Sequence, residues 1–188
     1  DTVIVTGAAG GVGSLAGQIF KIAGCKVYGI AGGKEKCEML INDFGFDGAI
    51  DYKSEDLNES LSKLCPNGAD IVYDNVGGRI LNDCLLHLAL NARIAICGII
   101  SRHKTDNMNF GPENYSNLIF KRATMQGFLM LDYMSETDSA RNKMKKWIED
   151  GKLICREDLR EGFENAPDTL KGLFDGKNKG KQLLKITN

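Results

Sequence analysis

Val3-Ile-Val-Thr-Gly-Ala-Ala-Gly-Gly-Val-Gly13 decides the reading of this chain: an apolar run drops into a glycine cluster, and an amphipathic helix pattern comes at once after it. Glycine lets the backbone turn tightly and approach a pyrophosphate, whose charge is then met by free amides and by the positive end of the helix. A glycine cluster alone is a weak signal. Its place after a strand and before a helix is what the mechanism of a dinucleotide-binding turn requires.

Outward from that turn, strand-like and helix-like runs alternate as far as Cys97, the rhythm of parallel βαβ units. The first strand is Thr2 to Thr6, and the helix after it sets Val12, Ala16, Ile19, Phe20 and Ala23 on one face before Gly24. Further strands lie at Lys26 to Ala31, Ala49 to Tyr52, Ala69 to Tyr73, Arg93 to Cys97 and Met125 to Met130. Between them run helices from Lys34 to Phe44, from an N-cap at Ser54, and from Gly77-Gly78 to about Leu88. Ser135 and Asp138 form a capping box before a helix whose apolar stripe is Ala140, Met144, Trp147 and Ile148. The tail carries a helix over Ala166 to Phe174, a turn at Asp175 to Asn178 and a last strand, Gln182 to Ile186. The fold predicted is α/β, a Rossmann doubly wound parallel sheet with a six-stranded core and helices on both faces.

At 188 residues the chain holds one sizeable domain, 1–188, with 176–188 as its tail strand. It starts directly on strand pattern, as a piece of something longer would. The 24 basic residues balance 25 acidic ones, so no net field draws the chain to nucleic acid or to a membrane. Six cysteines without a Cys-x-x-Cys pair, and no export signal, point to a reduced cytoplasmic protein.

The residues after the second strand bear on the cofactor. An acidic residue there usually binds the ribose hydroxyl of NAD. This chain has Gly32-Gly33 and then Lys34 and Lys36, positive charge where the 2'-phosphate of NADP would lie. The plainer reading, two lysines solvating the start of a surface helix, stands beside it. Asn75 and Gly98 sit at strand ends, where ligands bind in such sheets, although Asn75 also suits a plain turn.

Chemistry is harder to find. The turn also resembles that of the short-chain dehydrogenases, but their Tyr-x-x-x-Lys pair is absent, since the residues four beyond the five tyrosines are Gly32, Asp56, Gly77, Ile119 and Thr137. The two histidines lack partners at ligand spacing, so no metal site is expected. His103, in a polar loop, is the one weak candidate for a catalytic proton donor, with a solvated loop histidine as the blander alternative.

Over nearly its whole length the chain resembles the C-terminal part of the zinc-independent, NADP-dependent medium-chain reductases, the alkenal double-bond reductase and prostaglandin reductase group with its curcumin-reductase-like members. The stretches that carry the resemblance are Ala8 to Gly13, Gly45-Phe-Asp47 with Asp51-Tyr-Lys53, Asp74 to Gly78, Arg93 to Gly98 with Ile100-Ser101, Gln126-Gly-Phe128, and Gly176 to Lys181. The resemblance implies NADP(H) held by Gly10, Gly11, Val12 and Gly13 at the pyrophosphate, with Lys36 and Tyr52 near the 2'-phosphate. Gly33 stands where the family has a serine. Asn75 would lie along the cofactor; Cys97, Gly98, Ser101 and His103 would line the nicotinamide side, with Phe128, Leu129 and Met130 near the ring and Asn178 reaching back from the tail. Arg102-His103 replaces the family's Gln-Tyr, which puts any role of that tyrosine in doubt. The resemblance further implies hydride transfer to the carbon-carbon double bond of an enone or alkenal. It also implies a GroES-like N-terminal domain to which the last strand returns, leaving an apolar edge here, and a homodimer in the full-length protein. Three alternatives are a quinone reductase of the same superfamily, a fragment that binds NADPH without catalysis and, least favoured, a zinc alcohol dehydrogenase with its ligands in the missing half.

Overall fold

Successive residues of the first strand, β1 (Thr2–Thr6), point into two different cores, and the rest of the architecture grows from that alternation. Ile4 packs with Leu57, Leu61, Leu81 and Leu85 on one side of the sheet, while Val3 and Val5 pack with Leu40, Phe44 and Phe46 on the other. The computed structural model describes residues 1–101 and 112–186. Six parallel strands form the sheet in the order β3-β2-β1-β4-β5-β6. They are β1, β2 (Lys26–Ala31), β3 (Gly48–Asp51), β4 (Ala69–Asp74), β5 (Leu88–Ile96) and β6 (Thr124–Gly127). Helices α1 (Gly13–Ile22) and α2 (Lys34–Asn42) cover one face; α3 (Leu57–Leu64), α4 (Gly78–Cys84) and α5 (Asn117–Lys121) cover the other. Strand order reverses between β1 and β4, so the carboxyl ends of those two strands flank the crevice where such sheets take ligands.

The sheet expected from the sequence is present, with corrections in its details. Helix α1 buries the predicted stripe only in part: Val12 and Ala23 are exposed, Ala16, Ile19 and Phe20 are half-buried, and the fully buried positions are Gly13, Ser14, Gly17 and Gln18. The reason is one aromatic ring. Phe46 lies over Gly17, where an added Cβ would come within 1.9 Å of its ring, and it also fills the space left by Gly29 of β2. Burying such a ring contributes about 1.5 to 3 kcal/mol. Asp56, not Ser54, caps α3, accepting from the Glu59 amide at 2.9 Å, because Ser54 Oγ is already committed to Asp51. Strand β5 starts at Leu88 and not at Arg93, with Asn91 at φ 62 near its start. It comes directly after a 3-10 turn, Leu85–His87.

Strand β6 ends at Gly127, so Phe128 to Met130 leave the sheet and lead into a 3-10 segment, Met130–Glu136, that contains Ser135. The predicted capping box is therefore not formed. Helix α6 (Thr137–Glu149) has no buried residue, and only Met144 and Trp147 of its stripe are half-buried. Helix α7 (Ala166–Phe174) lies where the sequence places it, with Pro167 in its first turn. The last strand, β8 (Lys181–Lys185), is not left without a sheet: it pairs in parallel with β7 (Glu157–Glu161), a strand the sequence pattern does not reveal. The charged run Glu-Asp-Leu-Arg-Glu gives neither apolar alternation nor a continuous apolar core signal.

Candidate functional site

All six parallel strands point their carboxyl ends at one edge, and the turns after them assemble the site. At its centre is the glycine turn. Gly7 adopts φ +57, and its carbonyl accepts from the Gly10 amide at 3.1 Å. A Cβ on Gly13 would lie 2.4 Å from the Gly7 carbonyl oxygen and 2.8 Å from Ala8 Cα, so this position admits no side chain while the turn is closed. No side chain caps α1; the Ser14 and Ala16 amides are taken by the Gly10 and Val12 carbonyls at 3.0 and 2.9 Å. Val12 projects from the turn with 53% of its surface exposed.

Beside the turn, β1 and β4 are tied together. Thr6 donates to the buried Asp74 carboxylate at 2.6 Å, and Asp74 also accepts from the amides of Val76 and Gly77. Burial raises the Asp74 pKa, and these three donors only partly counter it. Asn75 completes the tie, with its amide on Thr6 Oγ1 at 2.9 Å and its side-chain nitrogen on the Thr6 carbonyl at 2.8 Å. Asn75 is thus more than a plain turn former: it holds the rim of the crevice.

The stretch after β5 runs back along this rim. Cys97 and Gly98 donate to the Asp74 carbonyl, and the Ser101 hydroxyl reaches the Val76 carbonyl at 2.6 Å. Gly98 has to be small, since a Cβ there would sit 3.0 Å from the Asn75 carbonyl oxygen. Cys97 bonds the hydroxyl of Tyr73, which burial and that thiol hold well above the usual phenol range. Tyr73 in turn joins a file of rings, with Phe20 at 6.3 Å on one side and Phe128 at 6.2 Å on the other. Phe128 is thus half-buried beside this rim, whereas Leu129 and Met130 are exposed. His103 lies outside the described residues.

At the other end of the edge, Gly33 (φ +104) gives its amide to Asp51 at 2.6 Å. Asp51 also accepts from the Lys53 amide and Ser54 Oγ; burial opposes its ionisation, yet these donors hold its pKa below the usual carboxylate range. The two lysines that the sequence treats alike are separated. Lys34 is exposed and faces Glu38 at 3.7 Å, while Lys36 is half-buried and donates to the Gly176 carbonyl at 2.7 Å. Burial first, then the ammonium groups of Lys53 and Lys179, lower the Lys36 pKa. Tyr52 and Lys53 flank Gly32, at 2.9 Å and 2.8 Å from where its Cβ would stand. No carboxylate comes directly after β2 in the chain; the next in sequence, Glu35, is paired with Lys179.

The tail reaches both regions. Gly180 donates to the Ala9 carbonyl at 2.8 Å, and Asn178, 7% exposed, donates its side-chain amide to the Gly180 carbonyl. Lys179 and Tyr73 stand beside the candidate site without being singled out from the sequence, and Thr6 and Lys53 enter the sequence reading only as parts of longer stretches. The one signal for Lys179 is the lysine-rich run Lys177 to Lys181. Among the described residues no group of three or more His, Cys, Asp or Glu could hold a metal ion, and no helix is long and apolar enough to cross a membrane. All six cysteines are free thiols.

A doubly wound parallel sheet with a glycine turn at its switch point is the Rossmann class of nucleotide-binding α/β domain. Residues 11–149 match the family model described as zinc-binding dehydrogenase, and the chain belongs to that family. Among relatives, it is 43% identical over 188 residues to the NADP(+)-dependent 2-alkenal reductase of Nicotiana tabacum, covering 100% of this chain and 54% of that protein. It is 38% identical over 191 residues to the NADPH-dependent curcumin reductase of Escherichia coli, covering 99% of this chain and 55% of that one. Among solved structures, CurA from Vibrio vulnificus in complex with NADPH superposes with a TM-score of 0.94 at 42% identity, over 100% of this chain and 57% of CurA. The chain thus spans about half the length of the relatives it matches.

Proposed function

We propose that this chain is the NADP(H)-binding part of a reductase that acts on the carbon-carbon double bond of α,β-unsaturated carbonyl compounds. The observation that carries the cofactor is the gathering of Lys36, Lys53 and Lys179 at the carboxyl ends of β2 and β3, with no carboxylate directly after β2. The turn fits the rest of the group, because glycine at position 13 keeps the backbone close where a pyrophosphate has to approach. Gly10 to Gly13 then hold the pyrophosphate, Lys36 and Tyr52 the 2'-phosphate, and Asn75, Gly98 and Ser101 form the rim beside the nicotinamide half. Alkenal and curcumin reductases at 38% to 43% identity along the whole chain support the substrate class. When bound, NADPH supplies hydride to the β-carbon of the enone while the α-carbon takes a proton. The chain's own work is to bind and orient.

Residues 1–188 make one domain in this reading, and the strand at 176–188 returns to a GroES-like N-terminal domain that forms the other wall of the substrate cleft. The full-length protein is a homodimer, supported by β6, a fully exposed edge strand. It is cytoplasmic, a location that its free thiols suit. The test is fluorescence titration of the chain with NADPH and NADH, and then turnover of an enone and of a quinone by the longer protein. Tighter binding of NADPH with enone turnover is expected. Equal affinities would overturn the cofactor assignment, and turnover of the quinone alone would overturn the substrate class.

A further inference from the structure

Residues 176–181 touch both the glycine turn after β1 and helix α2 after β2 at once. At the turn Gly180 bonds Ala9, and the Lys181 Cα would lie 3.0 Å from a Cβ on Gly11, so the tail backs the glycine turn closely. At the helix Gly176 takes the Lys36 ammonium at 2.7 Å, and Lys179 takes Glu35. Between these anchors Asn178 is buried and bonded to its own turn. The segment is therefore a strap laid across α2 and the glycine turn.

The charges under the strap are unevenly paired. Lys53 and Lys179 both act on Lys36; Glu35 is exposed and holds Lys179, Asp158 accepts from the Lys179 amide and pairs with Arg160 at 3.3 Å, and Asp51 is satisfied within its own turn. Among the described residues Lys36 itself has a carbonyl and no carboxylate partner. A phosphate monoester carries up to about two negative charges and three acceptor oxygens, so it outcompetes a single solvated carboxylate for an ammonium group in reach. Glu35 occupies the place of such an anion.

We propose that Lys179 is a second reader of the 2'-phosphate: the phosphate takes Lys179 from Glu35, and in doing so fastens the strap onto the glycine turn. Choice of cofactor and ordering of the tail thereby become one event. This rests on the reading that Lys36 lies at the 2'-phosphate, and it adds to that reading a specificity residue more than a hundred positions away in sequence.

The experiment uses adenosine 2',5'-bisphosphate and adenosine 5'-monophosphate, which differ only in the 2'-phosphate, with calorimetry for affinity and hydrogen exchange at the Gly180 and Lys181 amides for the strap. In the wild-type chain the bisphosphate binds more tightly and slows exchange at both amides, and the monophosphate does not slow it. Lys179→Ala weakens the bisphosphate by about three- to tenfold, the range for a partly exposed charge-assisted contact, and abolishes the slowing. Glu35→Gln, which leaves the lysine in place, strengthens bisphosphate binding and leaves the monophosphate unchanged. If Lys36→Ala weakens the bisphosphate while Lys179→Ala changes neither affinity nor exchange, the strap inference is overturned and the phosphate site stands. If the wild-type chain does not distinguish the two nucleotides, both fail.

Discussion

Gly13→Ala tests the claim that the turn is closed by backbone against backbone. The added Cβ would sit 2.4 Å from the Gly7 carbonyl oxygen, 2.8 Å from Ala8 Cα and 2.9 Å from the Gly7 carbonyl carbon. None of these atoms belongs to a side chain that can rotate away, so the turn has to open by about 1 Å, and overpacking of this kind costs about 1 to 3 kcal/mol. Alanine in a helix gains up to about 1 kcal/mol over glycine, which offsets part of that. The net loss expected is about 1 to 2 kcal/mol, or a fall in Tm of about 2 to 8 °C for a chain of this length. Binding should suffer more than stability, since the opened turn withdraws the amides from a pyrophosphate. We expect NADPH affinity, read by nucleotide fluorescence, to fall at least tenfold in a variant whose circular dichroism is native. A folded variant with wild-type Tm and wild-type affinity would refute the reasoning.

Lys36→Met should weaken NADPH by about 1 to 3 kcal/mol, the scale of a hydrogen bond to a charged group, and leave NADH almost unchanged; titration of both cofactors checks it, and parallel losses would remove the 2'-phosphate assignment. Because its surroundings lower the Lys36 pKa, the preference for NADPH should fade as pH rises at values below the ordinary lysine range, and a preference constant up to the lysine value of 10.5 would count against this. Asp51 has a lowered pKa, so its contribution to stability is present above the unfolded carboxylate value of about 4 and is lost as pH falls through that range. Asp51→Asn should accordingly flatten urea stability between about pH 5 and 3, and an unchanged slope there would show that the Gly33 turn does not depend on the charge. Gly17→Ala drives a methyl into the Phe46 ring and should cost about 1 to 3 kcal/mol in urea unfolding. A further change of Phe46 to leucine should recover part of that loss, and no recovery would mean that the two positions are not in contact.

The doubly wound sheet is legible because β1, β2 and β4 are largely apolar runs closed by a glycine or a polar pair, and both faces of β1 are buried. The glycine turn is legible for the same reason that it works: no other residue type fits Gly13. Periodicity puts the side chain of Val12 on the wrong side because it weighs what a helix carries and not what it leaves out; here the packed face of α1 is made of its small residues, Gly13 and Gly17, with a ring from a distant loop filling the gap. Strand β7 escapes since its charges look outward and its partner is β8, known only once the chain is folded. Lys34 and Lys36 cannot be told apart by spacing. Only the tail, arriving from Gly176, gives one of them a carbonyl to hold and leaves the other in water.

Thr6 and Asp74 meet where the order of the sheet reverses, and that junction has a mechanical meaning. A dinucleotide has two halves, and each half of this sheet presents its own set of loops to one of them. One hydroxyl and one carboxyl, both buried, tie the two sets at the top of the β1–β4 ladder. Together with the Asn75 contacts they close the strand ladder just below the rim, and Thr6→Val, which keeps the shape but removes the Asp74 bond and the Asn75 acceptor, would loosen the two sets of loops against each other.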